Sequence, residues 1–189
     1  MVVAVTTAPI APAGHRTRDA LLDAGLAVAE EHGLAGLSVN RVVDAAGVAK
    51  GTFYVHFADR DAFVDALHAR FHARVQLAVA ASIEGIAPGA ERIARAADAY
   101  LDCCLADRGV KALALEARSE GAYTADMKER VDRIASAAIP SLKAMGWPDA
   151  AAAAHLIAAM AGEIAIRELD ARRRLPASRR ALRRFVGAG

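Results

Sequence analysis

Apolar side chains recur along much of this chain at intervals of three and four residues, the spacing of helices that bury one face. The first stripe, Leu21, Leu22, Gly25, Leu26 and Ala29, predicts a helix with Thr17 as N-cap and Asp19 near the positive end of its dipole, running to Gly33. Ser38 is placed to cap a second helix that turns Val39, Val42, Val43 and Ala45 to one side. Gly47 stands where that helix must stop in a left-handed conformation. Beyond Val48 and Ala49 a short third helix starts with Lys50, Gly51 and Thr52 and ends in Phe53, Tyr54, His56 and Phe57. Asp59 caps a fourth, from about Arg60 to Ile83, with Phe63, Val64, Leu67, Phe71, Val75 and Ala78 inward. At roughly 1.5 Å per residue this helix exceeds 30 Å, enough to link two bodies rigidly. Gly85, Pro88 and Gly89 end it.

Further helices are predicted at about 90–106, 109–119, 123–145, 148–171 and 177–186, separated by Asp107-Arg108-Gly109, Gly121, Gly146-Trp147-Pro148 and Leu175-Pro176. Pro140 lacks an N–H and should kink or split the helix it falls in. In the last two helices, Ala153, Leu156, Ile157, Met160, Ile164 and Ile166 with Gly162 form a broad apolar surface, and Leu182, Phe185 and Val186 turn inward. Alone, that surface is either intramolecular core or the seat of a partner.

Composition agrees with an all-α fold. The chain of 189 residues is 55% hydrophobic, swollen by alanine, and only 5% aromatic, so helix propensity is high. Residues 1–14 hold Pro9 and Pro12 and no basic residue, and read as a disordered tail rather than a leader. The longest apolar run, Ala150 to Gly162, contains His155 and is too short to span a bilayer, so no membrane association is expected. Cys103 and Cys104 are adjacent, with no CxxC spacing, which suits a reducing, cytoplasmic setting.

Two helices joined by three or four residues around a glycine match the helix-turn-helix, whose second helix enters the major groove. Bulk charge does not add to that reading. Residues 1–74 carry seven Arg or Lys against eight Asp or Glu, so the placement of Lys50, Arg41 and Arg60 must carry it. The stretch EEHGLAGLS followed by VVDAAGVAKGTFYVHFADRDAF resembles the N-terminal domain of the TetR family of bacterial transcriptional regulators. The likeness covers about residues 17–67, with Ala46 to Tyr54 and the pair His56-Phe57 as its most specific parts. It implies a helix-turn-helix domain at 15–60 joined by a long helix to a ligand-binding and dimerisation domain at 61–189. It also implies a homodimeric repressor of a double-stranded DNA operator, paired through the helices at 148–171 and 177–186 and released by a small-molecule effector.

Lys50 offers an ammonium to a phosphate or a guanine edge, and Gly51 lets the backbone approach the duplex. Thr52 can meet a phosphate or a thymine methyl, Tyr54 and His56 can donate to the sugar-phosphate strands, and Ser38 and Arg60 lie at helix starts. Each matches a DNA-contacting position of the resembled family. Ala49 replaces a common serine there, and Val55 a more polar or aromatic residue, so Val55 is expected to make an apolar base contact. Phe53 and Phe57 read as core.

For the effector, the resemblance directs attention to Tyr100, Cys103 and Cys104 on the helix that borders the family's pocket. Glu116, Tyr123, Met127, Trp147 and His155 complete the candidates. The aromatic residues can equally be plain core, and the adjacent thiols, about 100° apart on a helix, can be packing residues or a sensor. Glu163 and His155 are polar residues in an apolar helix and need solvent or a partner. His68 and His72, with Asp65, have a metal-like spacing, but without a convergent ligand they read as a solvated flank; no metal or cofactor is expected. The seven arginines from Arg172 onward read as a solvated face complementing helix dipoles or as a second anionic contact. A helical enzyme or small-molecule carrier retaining the hairpin is the competing reading, and the missing GxSxG, HExxH, Walker and dinucleotide motifs speak against catalysis.

Overall fold

The computed structural model describes residues 13–106, 109 and 125–188. Among them the chain forms nine α-helices and no strand. These are α1 (Ala13–Gly36), α2 (Val39–Ala46), α3 (Lys50–His56), α4 (Arg60–Ser82), α5 (Ala90–Ala106), α6 (Ala125–Ser136), α7 (Ile139–Ala144), α8 (Ala150–Ala171) and α9 (Pro176–Phe185). The helix expected at 109–119 lies outside the described residues apart from Gly109.

Local signals set the hairpin of α2 and α3. Ser38 Oγ accepts from Arg41 N–H at 3.3 Å, and Gly47 closes α2 at φ 66°, its N–H returning to Asp44. Asp59 caps α4 by accepting from Ala62 N–H at 2.8 Å. Pro140 stands in the first turn of α7, so the predicted 123–145 helix is split after Ser136. Thr17 is not a cap: α1 already starts at Ala13, and the non-helical residue near its end is Gly33. Ala45 is exposed rather than inward, and Ala46 takes its place against the core, because the α2 stripe follows Val39, Val42, Val43 and Ala46.

The helices bury two apolar centres. Leu21, Leu22, Leu37, Phe53, Phe63 and Leu67 fill the first, between α1, α2, α3 and the start of α4. Phe71, Val75, Leu101, Leu142, Ile157 and Leu182 lie in the second, between the rest of α4 and α5 to α9, and Leu26 packs against both. Beside Leu67 and Phe71, His68 is fully buried and His72 nearly so, while Asp65 is exposed. The expected solvated flank is thus corrected: α4 is enclosed on more than one side here. Gly109 meets α1 so closely that a Cβ there would lie 2.7 Å from Leu26 O and 2.9 Å from Glu30 N.

The broad apolar surface of α8 divides in two. Ala153, Ile157, Ala161, Ile164 and Ala165 face the core, whereas Leu156 is 67% exposed. At 22 residues, with a mean hydropathy of 1.3 over its most apolar stretch, α8 is long and apolar enough to cross a bilayer by length and composition alone. The shorter run noted in the sequence understates it. In this fold its inward stripe is occupied by α5, α6 and α7.

The same stripe carries a carboxylate, Glu168, which is 1% exposed. Arg179 donates to it through Nε at 2.8 Å and Nη2 at 2.6 Å, and to Asp102 through Nη1 at 2.8 Å. Leu175 N–H adds a fourth bond at 2.8 Å. Burial alone would raise the Glu168 carboxyl, but these donors and the guanidinium charge outweigh it and hold it below the ordinary carboxylate range. Hydrogen bonds to Glu168, against the opposing pull of burial, hold Arg179 above its usual value. Arg183 reaches Asp98 at 2.8 Å. Two of the seven C-terminal arginines therefore clamp α9 to α5 and α8 and are no free face. Leu182 and Val186 are buried as expected, but Phe185 is 72% exposed.

Candidate nucleic-acid interface

A helix of seven residues cannot hold itself, and α3 is held by its aromatic residues. Phe53 is fully buried and Phe57 4% exposed; their rings lie 5.2 and 4.9 Å from that of Phe63. Anchoring this side turns the opposite one to solvent. Lys50, Gly51, Tyr54 and Val55 are exposed, Val55 at 79%, and Thr52 and His56 are half-buried at its margins. No carboxylate pairs with Lys50 among the described residues. Ala49 begins α3 without a side-chain cap, as its missing hydroxyl requires.

Ser38 and Arg60 have structural tasks at this surface. The Ser38 hydroxyl is engaged at the α2 N-terminus, and Arg60 Nε donates to Leu37 O at 2.7 Å, drawing the start of α4 to the start of α2. Arg41 Nη1 donates to Gly36 O at 2.9 Å. The six candidates of α3 thus share one short helix, with Ala49 at its start and Ser38 and Arg60 bracing it.

The effector candidates are more scattered. On α5, Tyr100 and Cys103 are half-buried and Cys104 is buried beside the larger core. Trp147, past the end of α7, is 43% exposed. His155 is exposed on α8, with Nδ1 2.8 Å from Ala151 O and Nε2 3.3 Å from Asp132. Glu163 is exposed and pairs with Arg167 at 2.7 Å. Glu116 and Tyr123 lie outside the described residues, as does the side chain of Met127. A feature not anticipated is a cleft of about 160 Å³ between α4 and α6, lined by Val75, Val79, Ala80, Ile83 and Ile134, with Gln76 and Arg133 as its polar residues. The fourfold spacing of Val75, Val79 and Ile83 is its sequence signal, of which only Val75 is expected to face inward. Among the described residues no three His, Cys, Asp or Glu side chains could hold a metal ion.

Residues 21–67 match the model of the family described as bacterial regulatory proteins, tetR family. No curated protein matches the chain in sequence. Solved structures share its whole architecture at low identity. A TetR-like transcriptional regulator from Rhodococcus sp. RHA1 is 18% identical, with TM-score 0.77 over 95% of this chain and 96% of that one. The fatty acid degradation regulator FadR from Bacillus halodurans is 19% identical, with TM-score 0.78 over 90% and 94%. FadR from Bacillus subtilis, solved with stearoyl-CoA, is 18% identical, with TM-score 0.72 over 90% and 98%.

Proposed function

We propose that this chain, which carries a tetR-family module at residues 21–67 on a TetR-like fold, is a sequence-specific DNA-binding regulator of transcription, not an enzyme. The observation that carries the reading is the two-sidedness of α3: Phe53 anchors it while Lys50, Gly51, Tyr54 and Val55 stand in solvent on one short helix. Such a helix seats in the major groove with its N-terminal residues on the bases. Thr52 and His56 border the strands, and Ser38, Ala49 and Arg60 approach phosphate where they set the helix starts.

The working form is a homodimeric repressor in the cytoplasm, paired through α8 and α9. These helices pack on one another, and each leaves a large apolar side chain, Leu156 and Phe185, in solvent. Two α3 helices then meet half-sites of an inverted repeat about 34 Å apart. A small apolar effector that prefers a different dimer spacing lowers operator affinity by its own preference between the two states. The cleft on α4, lined by Val75, Val79, Ile83 and Ile134, supports an apolar effector; the candidates Tyr100, Cys103, Cys104, Glu116, Tyr123, Met127, Trp147 and His155 are a separate set proposed from the family resemblance.

Genomic fragment selection with purified protein at low salt, then titration of the recovered site across salt, tests the reading. An inverted repeat protected by a dimer, lost in the Lys50→Ala, Tyr54→Ala double variant with fold and dimer intact, is the expected result. Weak binding without sequence preference that survives both substitutions would overturn it and turn attention to the cleft as a carrier or enzyme site.

A further inference from the structure

The even charge balance of the reading domain raises the question of which cations are uncommitted. Arg41 is tied to Gly36 O, Arg60 to Leu37 O, and Arg70 to Asp23 at 2.7 Å. Arg18 is different. It is exposed on α1, its guanidinium carbon lies 5.2 Å from the centroid of the Phe57 ring, and no carboxylate pairs with it among the described residues. Phe57 is a rigid platform, held against Phe53 at 5.3 Å and Phe63 at 4.9 Å, and its own N–H closes α3 on Phe53 O.

A guanidinium stacked on an aromatic face keeps its N–H edge available to an oxyanion and loses little freedom when it binds one. From the first residue of α3, Lys50, to its last, His56, is about 10 Å, close to the roughly 12 Å width of the major groove. We propose that Arg18 is a phosphate contact at the C-terminal end of the reading helix, complementing Lys50 at its start. The proposal rests on the DNA-binding reading above. Phe57, buried and unable to touch DNA itself, acts through it as a positioning residue.

The test measures affinity against salt for a duplex carrying the recovered inverted repeat and for a scrambled duplex of equal length. Arg18→Ala is expected to weaken both about tenfold and to reduce the slope of log affinity on log salt by about one per protomer. Arg18→Lys is expected to restore the slope. Arg16→Ala removes the same charge two residues away, roughly 200° around α1, and is expected to leave the slope unchanged. An Arg18→Ala slope equal to wild type, while Lys50→Ala lowers it, overturns the contact and leaves the regulator reading standing. The contact is also overturned if Arg16→Ala lowers the slope as much, or if Arg18→Ala lowers the melting temperature and affinity with no change in slope. Wild-type protein that selects no DNA removes the regulator reading and the contact together.

Discussion

Glu168 and Arg179 form the most enclosed ion pair among the described residues, and neither stands alone: Leu175 N–H and Asp102 complete their bonds. Removing the carboxylate leaves a guanidinium with reduced compensation at a buried site. Glu168→Ala is expected to cost about 3 kcal/mol, measured as a lower urea midpoint at neutral pH. The pH dependence has a definite sign. Because the folded-state carboxyl sits below its ordinary 4.5, its contribution is complete above that value and is lost as pH falls through the depressed one. Wild type should therefore lose stability on the acid side of 4.5 more steeply than the variant. This residue was not legible in the sequence, where Glu163 and His155 drew attention as the polar residues of the helix. Glu168 falls in register with Ile157, Ala161, Ile164 and Ala165, but its partner at 179 and that partner's at 102 are brought in only by the tertiary fold.

Elements whose limits are set by neighbours a few residues away were legible. Ser38, Gly47 and Asp59 bound α2 and α4 as expected, and Pro140 splits the helix it enters, because capping and proline geometry act within one turn. Gly47→Ala places a side chain at φ 66° and is expected to lower stability by about 1 kcal/mol, checked by urea titration. The tilt of α3 should change with it, so operator affinity falls at temperatures where the domain remains folded. What failed at this scale depended on how many sides of a helix are covered. His68 and His72 looked solvated because a single stripe was assumed for α4, which instead packs on α1, α5 and α6. Phe185 failed the other way: α9 turns Arg179 and Leu182 inward, with Val186 just past its end, and leaves Phe185 in solvent.

For the molecule as a whole, α4 spans both apolar centres, and the helix-turn-helix at one end is joined to the larger helical body at the other. Whether the apolar surface of α8 is intramolecular core or the seat of a partner is the question sequence left open, since Leu156, Ile157, Met160 and Ile164 spread over a broad part of the helix. The structure fills one side with α5, α6 and α7 and leaves Leu156 on another. Leu156→Glu is expected to halve the mass in solution by light scattering and to weaken operator binding by at least tenfold, while the melting of the isolated subunit changes little.

Gly109 approaches the α1 backbone with no side chain between them. A methyl group there cannot be absorbed by a rotamer change, because what it meets is Leu26 O and Glu30 N. In Gly109→Ala, α1 must yield, and α1 also carries the Leu21 and Leu22 side chains on which α3 is seated. The variant is expected to have an altered operator affinity with no effector present, measurable by the same DNA titration. One missing carbon thus acts as a spacer gauge: it fixes how near α1 lies to the segment at Gly109, and through α1 how the first apolar centre is seated.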